Sequence, residues 1–159
     1  MENAMLSVKN LKKYFQTSSG SLHAVDDVTF DIEKGTTLGV VGESGCGKST
    51  LGRVVLHLLP STGGQIVYEG RDITKVSKQE LHELRRKMQI IFQDPFSSID
   101  PRMSVRQLIA EPLKIYHVTK SKAEMEKKVD EVMDIVGLAS RLKESYAHEL
   151  DGGRRQRIG

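Results

Sequence analysis

Tryptophan is absent from the 159 residues, cysteine occurs once, proline four times, and aromatic residues make up only 5% of the chain. With Cys46 alone, an intrachain disulfide is excluded, and the chain suits a reducing compartment. No apolar run approaches the ~18–20 residues that cross a bilayer. The opening MENAMLSVKN also lacks the basic start and apolar stretch of a secretory signal. Any membrane role is therefore expected to be peripheral. Charge of one sign is scarce too: 24 Lys and Arg against 21 Asp and Glu leave +3, spread along the chain. That balance offers no basic stripe, so a nucleic-acid partner is not expected, and Arg85-Arg86-Lys87 and Arg154-Arg155 read first as solvated helix faces. The histidines His23, His57, His82, His117 and His148 are scattered without metal-ligand spacing.

What is present is an ordinary globular composition, 38% hydrophobic and 28% charged, at a length that suits one domain. Residues 6–10 read as a strand, and Val28, Phe30 and Ile32 alternate as in a half-buried strand. The QTSSGS stretch between them reads as a loop. Residues 36–41 form a short apolar run of the kind that becomes a buried parallel strand. A helical pattern follows from Lys48, with Leu51, Val54, Val55 and Leu58 on one face and Pro60 beyond. Residues 65–69 and 88–92 return to strand. Three capping boxes, Ser77 with Glu80, Ser104 with Gln107 and Ser121 with Glu124, open helices, the last carrying Met125, Val129, Val132, Met133 and Val136 and closing at Gly137. From about Ser104 the pattern is helical, which suggests a helical lobe inserted into an α/β core near the loop between Pro95 and Pro101.

One segment carries chemistry. Gly42-Glu43-Ser44-Gly45-Cys46-Gly47-Lys48-Ser49 fits G-x-x-x-x-G-K-[ST], the phosphate-binding P-loop or Walker A pattern, between a strand-like run and a helix as that pattern requires. Glycines let the main chain wrap an anion with its amides inward, and the following helix turns its positive end to the same place. Lys48 has the charge and reach for the β- and γ-phosphates. Ser49 is suited to Mg²⁺, and Thr50 to the α-phosphate side. Cys46 reads as a small residue within the loop.

A P-loop alone does not separate kinases, GTPases and transport ATPases; three further segments do. Ile90-Ile91-Phe92-Gln93-Asp94-Pro95 resembles the Q-loop of ABC ATPases, and Leu150-Asp151-Gly152-Gly153-Arg154-Arg155-Gln156-Arg157-Ile158-Gly159 resembles their signature sequence. Tyr14-Phe15 stands in the place of the adenine-stacking aromatic. Residues 93–103 are most similar to the ATP-binding subunits of oligopeptide and dipeptide importers. The resemblance implies an α/β P-loop fold, an ABC ATPase core with an N-terminal antiparallel β lobe and an inserted helical lobe, cut short at its C-terminus. It divides the chain into a β lobe and P-loop core at residues 1–96, a helical lobe at 97–150 and the start of a signature helix at 151–159.

The same resemblance implies that Phe15, with Tyr14 as the alternative, stacks on adenine, that Val25 lines the base pocket, and that Gln93 senses Mg²⁺ and the attacking water. Two such subunits would close head to tail, so Asp151, Gly152, Gly153 and Arg154 would serve the ATP of a second ABC ATPase subunit. Transmembrane permease subunits would dock beside residues 93–103, placing the protein in the cytoplasm on the inner face of the membrane. Two positions depart from the family pattern: Asp151 replaces a serine and Arg154 a glutamine. Asp still caps a helix, but a carboxylate repels a γ-phosphate where a hydroxyl would donate, so a heterodimer with one weakened site is expected. The sequence stops before the family's catalytic carboxylates, so this stretch alone is expected to be a poor ATPase with apolar surface open. The competing readings are a soluble ABC ATPase acting on nucleic acid or ribosomes and a non-hydrolysing dimerisation module that binds ATP.

Overall fold

In the computed structural model, residues 4–92 and 99–158 are described. Contacts divide the chain into two units between Ile90 and Ile91. The first is built on a long hairpin of β1 (Ala4–Thr17) and β2 (Gly20–Glu33), continued by β3 (Gly63–Tyr68) and β4 (Arg71–Asp72) in the all-antiparallel order β2-β1-β3-β4. Most of QTSSGS, expected as a loop, belongs to these strands. The turn is reduced to Ser18 and Ser19, with the Thr17 hydroxyl donating to the Gly20 carbonyl at 2.7 Å. Polar residues can pair there because the ladder uses main-chain groups and this end of the hairpin is solvent-facing.

Alternation along β1 changes phase once. Leu6 and Val8 are buried, then Leu11 and Lys13, an even-to-odd switch that requires an extra residue. Asn10 supplies it in a left-handed conformation (φ 48°), with its amide N–H bonded to Thr29 Oγ1 at 2.8 Å and its side-chain Nδ2 to Asp27 Oδ1 at 2.9 Å. The bulge thereby turns Lys13 inward. Helix α1 (Lys48–Val55) packs Val54 and Val55 against Leu6, Val8, Leu11, Ile66 and Ile73, forming the core of this unit. Its C-terminus closes with His57 in the left-handed region (φ 56°), where His57 N–H reaches the Val54 carbonyl and Leu58 N–H the Arg53 carbonyl, a Schellman closure made without glycine. Helix α2 (Lys78–Lys87) starts with the expected reciprocal cap between Ser77 and Glu80.

Residues 36–41 and 88–92 do not form strands, contrary to the sequence expectation. Parallel strands with two apolar faces need a hydrogen-bonded neighbour, and among the described residues none pairs with either run. Val41 is consequently 93% exposed and Ile91 95%.

The second unit is helical. Helix α3 (Val105–Ile115) begins with the full Ser104–Gln107 capping box, and α4 (Lys122–Ile135) with Ser121 accepting the Glu124 amide. The third box is not reciprocal: Glu124 Oε2 takes the Lys120 amide instead. Val105, Ala110, Val129, Met133, Leu138 and Leu150 make the core. Arg106 bridges Glu126 at 2.9 Å and Glu144 at 3.0 Å, while Lys143 bridges Glu126 and Asp130. Two 3₁₀ turns (Ser140–Leu142 and Ala147–Glu149) lead to α5 (Gly152–Arg155).

Candidate nucleotide site

The turn from Gly42 to Gly47 precedes α1 and is shaped by backbone that side chains obstruct. Gly45 has φ 82° and Gly47 φ 97°, both left-handed. At Gly47 a Cβ would lie 2.1 Å from the Ala24 carbonyl oxygen, so β2 presses directly on the loop and only glycine fits. Gly47 caps α1 with its own carbonyl, which accepts the Leu51 amide at 2.8 Å. In the first turn of a helix the amides lack intrahelical acceptors, so those of Lys48, Ser49 and Thr50 are available to an anion and carry the positive end of the helix dipole. The Lys48 side chain folds back over the loop. Its Nζ donates to the Gly42 carbonyl at 2.9 Å and the Glu43 carbonyl at 2.6 Å, and lies 3.6 Å from Cys46 Sγ.

These groups share a cavity of about 330 Å³ with an aromatic ring: Phe15, His23 and Ala24 line it together with the loop from Gly45 to Thr50. Tyr14, the alternative, is engaged elsewhere. Its ring stacks on His23 at 3.8 Å between centroids, and its hydroxyl donates to Asp26, which holds that carboxyl below the usual carboxylate range and pushes the phenol up. Val25 is buried and belongs to an adjoining cavity of about 430 Å³, which shares Cys46, Gly47 and Lys48 with the first. Glu43 and Ser44 are exposed at the loop's outer edge. Gln93 lies outside the described residues, as does the 93–98 segment. A third cavity, between β3 and α2, has its cations Arg71 and Lys87 paired with Glu80 and Glu69.

The Mg²⁺ expectation can be weighed against the donors present. Magnesium takes oxygen ligands and leans on substrate phosphates and waters more than on all-protein cages. Ser49 borders the cavity beside Lys48, and no cluster of three or more His, Cys, Asp or Glu able to hold a metal occurs among the described residues. Hydroxyl-bearing residues at Ser49 and Thr50, beside amides free to take an anion, fit that pattern.

The signature segment lies in the second unit. Asp151 caps α5, accepting the Arg154 amide at 2.9 Å on Oδ1 while Arg154 Nε sits 3.3 Å from Oδ2. Arg157 donates to the Gly137 carbonyl at 3.0 Å and Arg155 to the Leu150 carbonyl at 2.7 Å, tying the segment to the end of α4 and to its own lead-in. Sequence reasoning missed three participants. The Ala24 carbonyl enforces Gly47, His23 lines the cavity, and Lys13 stands behind Phe15. Lys13 carried a signal in hindsight, since it precedes Phe15 by two on one strand and so shares its face.

Residues 25–159 match the profile of the ABC transporter family. Oligopeptide transport ATP-binding protein OppF of Bacillus subtilis (strain 168) is 48% identical over 160 residues, spanning 100% of this chain and 52% of the relative. Oligopeptide transport ATP-binding protein AppF of the same organism is 42% identical over 166 residues, spanning 99% of this chain and 50% of its own length. The chain thus spans about half the length of these curated relatives. Among solved structures, the dimeric MJ0796 bacterial ABC transporter cassette superposes with a TM-score of 0.79 at 25% identity, and its post-hydrolysis dimer bound to ADP and Pi with 0.82 at 26%. Each covers 97% of this chain and 66% of the neighbour. A P-loop and signature segment in this order, on a fold shared with those cassettes and with a profile match over most of the sequence, place the chain in the ABC transporter family.

Proposed function

We propose that the protein containing this chain is the ATP-binding subunit of an ABC importer, coupling MgATP binding and hydrolysis to uptake of peptides or a similar solute through a membrane permease. The observation that carries this is the convergence of Lys48, the first-turn amides of α1, Ser49 and the Phe15 ring on one cavity. A triphosphate would take the ammonium of Lys48 and the amides of residues 45–50, with adenine on Phe15 and Val25 beside the base. Ser49 would hold an accompanying Mg²⁺, which would supply charge neutralisation for the polyphosphate. Glu43, Ser44 and Cys46 shape the loop. Gln93 would orient the attacking water, so that catalysis rests on positioning and charge stabilisation. The names of the relatives support the peptide class of solute.

The working unit in this reading is a pair of ATPase subunits on the cytoplasmic face of a permease, with no nucleic-acid partner. Asp151, Gly152, Gly153 and Arg154 would face the partner's ATP. The pairing of Asp151 with Arg154 favours a heterodimer: the carboxylate is already committed to a cap and a guanidinium, and it offers no hydroxyl to a γ-phosphate. No helix among the described residues is long and apolar enough to cross a membrane. Calorimetry on the full-length protein tests the core of the proposal. Magnesium-dependent ATP binding is expected, and Lys48→Ala should reduce affinity by at least about 100-fold, since it removes a charge-assisted contact to phosphate worth roughly 3 kcal/mol. Unchanged binding in K48A would refute it.

A further inference from the structure

Lys13 is the one buried lysine among the described residues, only 8% exposed, and it owes that position to the Asn10 bulge that turns it inward. A lysine stem covered along a strand face leaves its ammonium little choice of neighbours, so the group it lies against matters. Among the described residues its electrostatic contact is the ring of Phe15, with Nζ over the face at 4.9 Å from the centroid. Phe15 in turn borders the cavity holding Gly45 to Thr50, while Lys13 itself is not part of that lining. The ring of Phe15 therefore contacts both the Lys13 ammonium and the cavity proposed for a nucleotide.

We propose that Lys13 is a positioning residue for the nucleotide base, acting through Phe15; this rests on the nucleotide reading of the cavity. Two effects follow from the geometry. The ammonium against one face would restrain the turning of the ring, and the face away from it would be the one offered to a flat ligand. The cation also draws ring electron density toward itself. The far face becomes less negative and stacks better on an electron-rich purine, whose own face is negative. Val25 lies opposite Lys13 in the β1–β2 register, so the lysine stem also packs where β2 meets the loop, and its length matters apart from its charge. The selectivity produced is for the base, not for the phosphates, which the loop amides and Lys48 hold.

The experiment compares two ligands on the full-length protein by calorimetry: MgATP and magnesium tripolyphosphate, which has the anion but no base. Lys13→Met keeps the stem and removes the charge. It should weaken ATP about fivefold, the size of one cation–π contact, and leave tripolyphosphate unchanged. Lys13→Arg, which keeps the cation, should retain wild-type affinity for both. In a Phe15→Ala background K13M should add nothing further. Lys13→Gln, with similar length and a neutral end, is the second variant and should shift the ATP-to-tripolyphosphate ratio as K13M does. Equal weakening of both ligands in K13M or K13Q, unchanged ATP affinity, or an undiminished effect without Phe15 would each overturn the inference. Wild-type protein binding neither ligand would sink the nucleotide reading itself, whereas wild-type binding with an unaffected K13M sinks only the role of Lys13.

Discussion

Gly47→Ala is the substitution for which the structure gives the sharpest number. The new methyl would arrive 2.1 Å from the Ala24 carbonyl oxygen and 3.3 Å from its carbon. Carbon–oxygen contacts settle at about 3.3 Å or more, so the loop or β2 must yield by roughly 1 Å. The obstacle is main chain, at the point of β2 that the register skips between His23 and Val25, and main chain has no rotamer to escape into. A left-handed φ of 97° adds about 1–2 kcal/mol for any residue with a Cβ. Misplacement of about 1 Å in a positioning loop costs on the order of 100-fold in rate. Gly45→Ala is the internal control: its φ is 82°, but nothing lies within 4 Å of its would-be Cβ. It should pay the conformational cost alone, about 5- to 30-fold in nucleotide affinity. Calorimetric MgATP binding and steady-state turnover on the full-length protein read both variants, with circular dichroism checking the fold. G47A must be the worse of the two by at least about tenfold if the steric argument holds. Equal losses, or a G45A more damaging than G47A, would show that contact with Ala24 does not set the loop's shape.

Two further predictions follow from side chains rather than backbone. In the proposed pair of ATPase subunits, Asp151→Ser should raise turnover at the site this signature would face by about tenfold, by replacing a repelling carboxylate with a donor; site-resolved turnover that stays flat would count against the weakened-site reading. His57 is half-buried, its Nε2 has no hydrogen-bond partner, and burial pushes its pKa below the ordinary imidazole value. The unfolded chain therefore binds a proton that the folded one resists, so stability should fall as pH drops from the unfolded pKa of about 6.5 through the lower folded value. Thermal melts from pH 7.5 to 5.5 should show this decline reduced in His57→Gly, which suits the left-handed position and removes the imidazole. An unchanged pH slope in that variant would refute the assignment.

The loop was legible because its determinants are local: eight consecutive residues specify dihedrals, charge and a helix start, and nothing distant is needed to recognise them. The capping boxes at Ser77 and Ser104 were legible for the same reason, while Ser121 was half-read because Glu124 found the Lys120 amide closer to hand. The apolar runs at 36–41 and 88–92 illustrate the opposite case. Their composition says that they can be buried, but strand formation depends on a neighbour elsewhere in sequence, and composition cannot supply its register. Lys13 was hidden for a third reason. A lysine reads as surface until a one-residue bulge three positions earlier changes which side of the strand it occupies.

The grip of Lys48 on the Gly42 and Glu43 carbonyls has a bearing on what the cavity will admit. An arriving solute does not meet a naked cation; it must outbid two main-chain oxygens already in place. Neutral sugars and weakly charged metabolites offer no better bargain than those oxygens and leave them stranded. A polyanion, with several formal charges converging on one ammonium, does. In the proposed nucleotide site the resting embrace would act as a threshold that screens the crowded small-molecule pool.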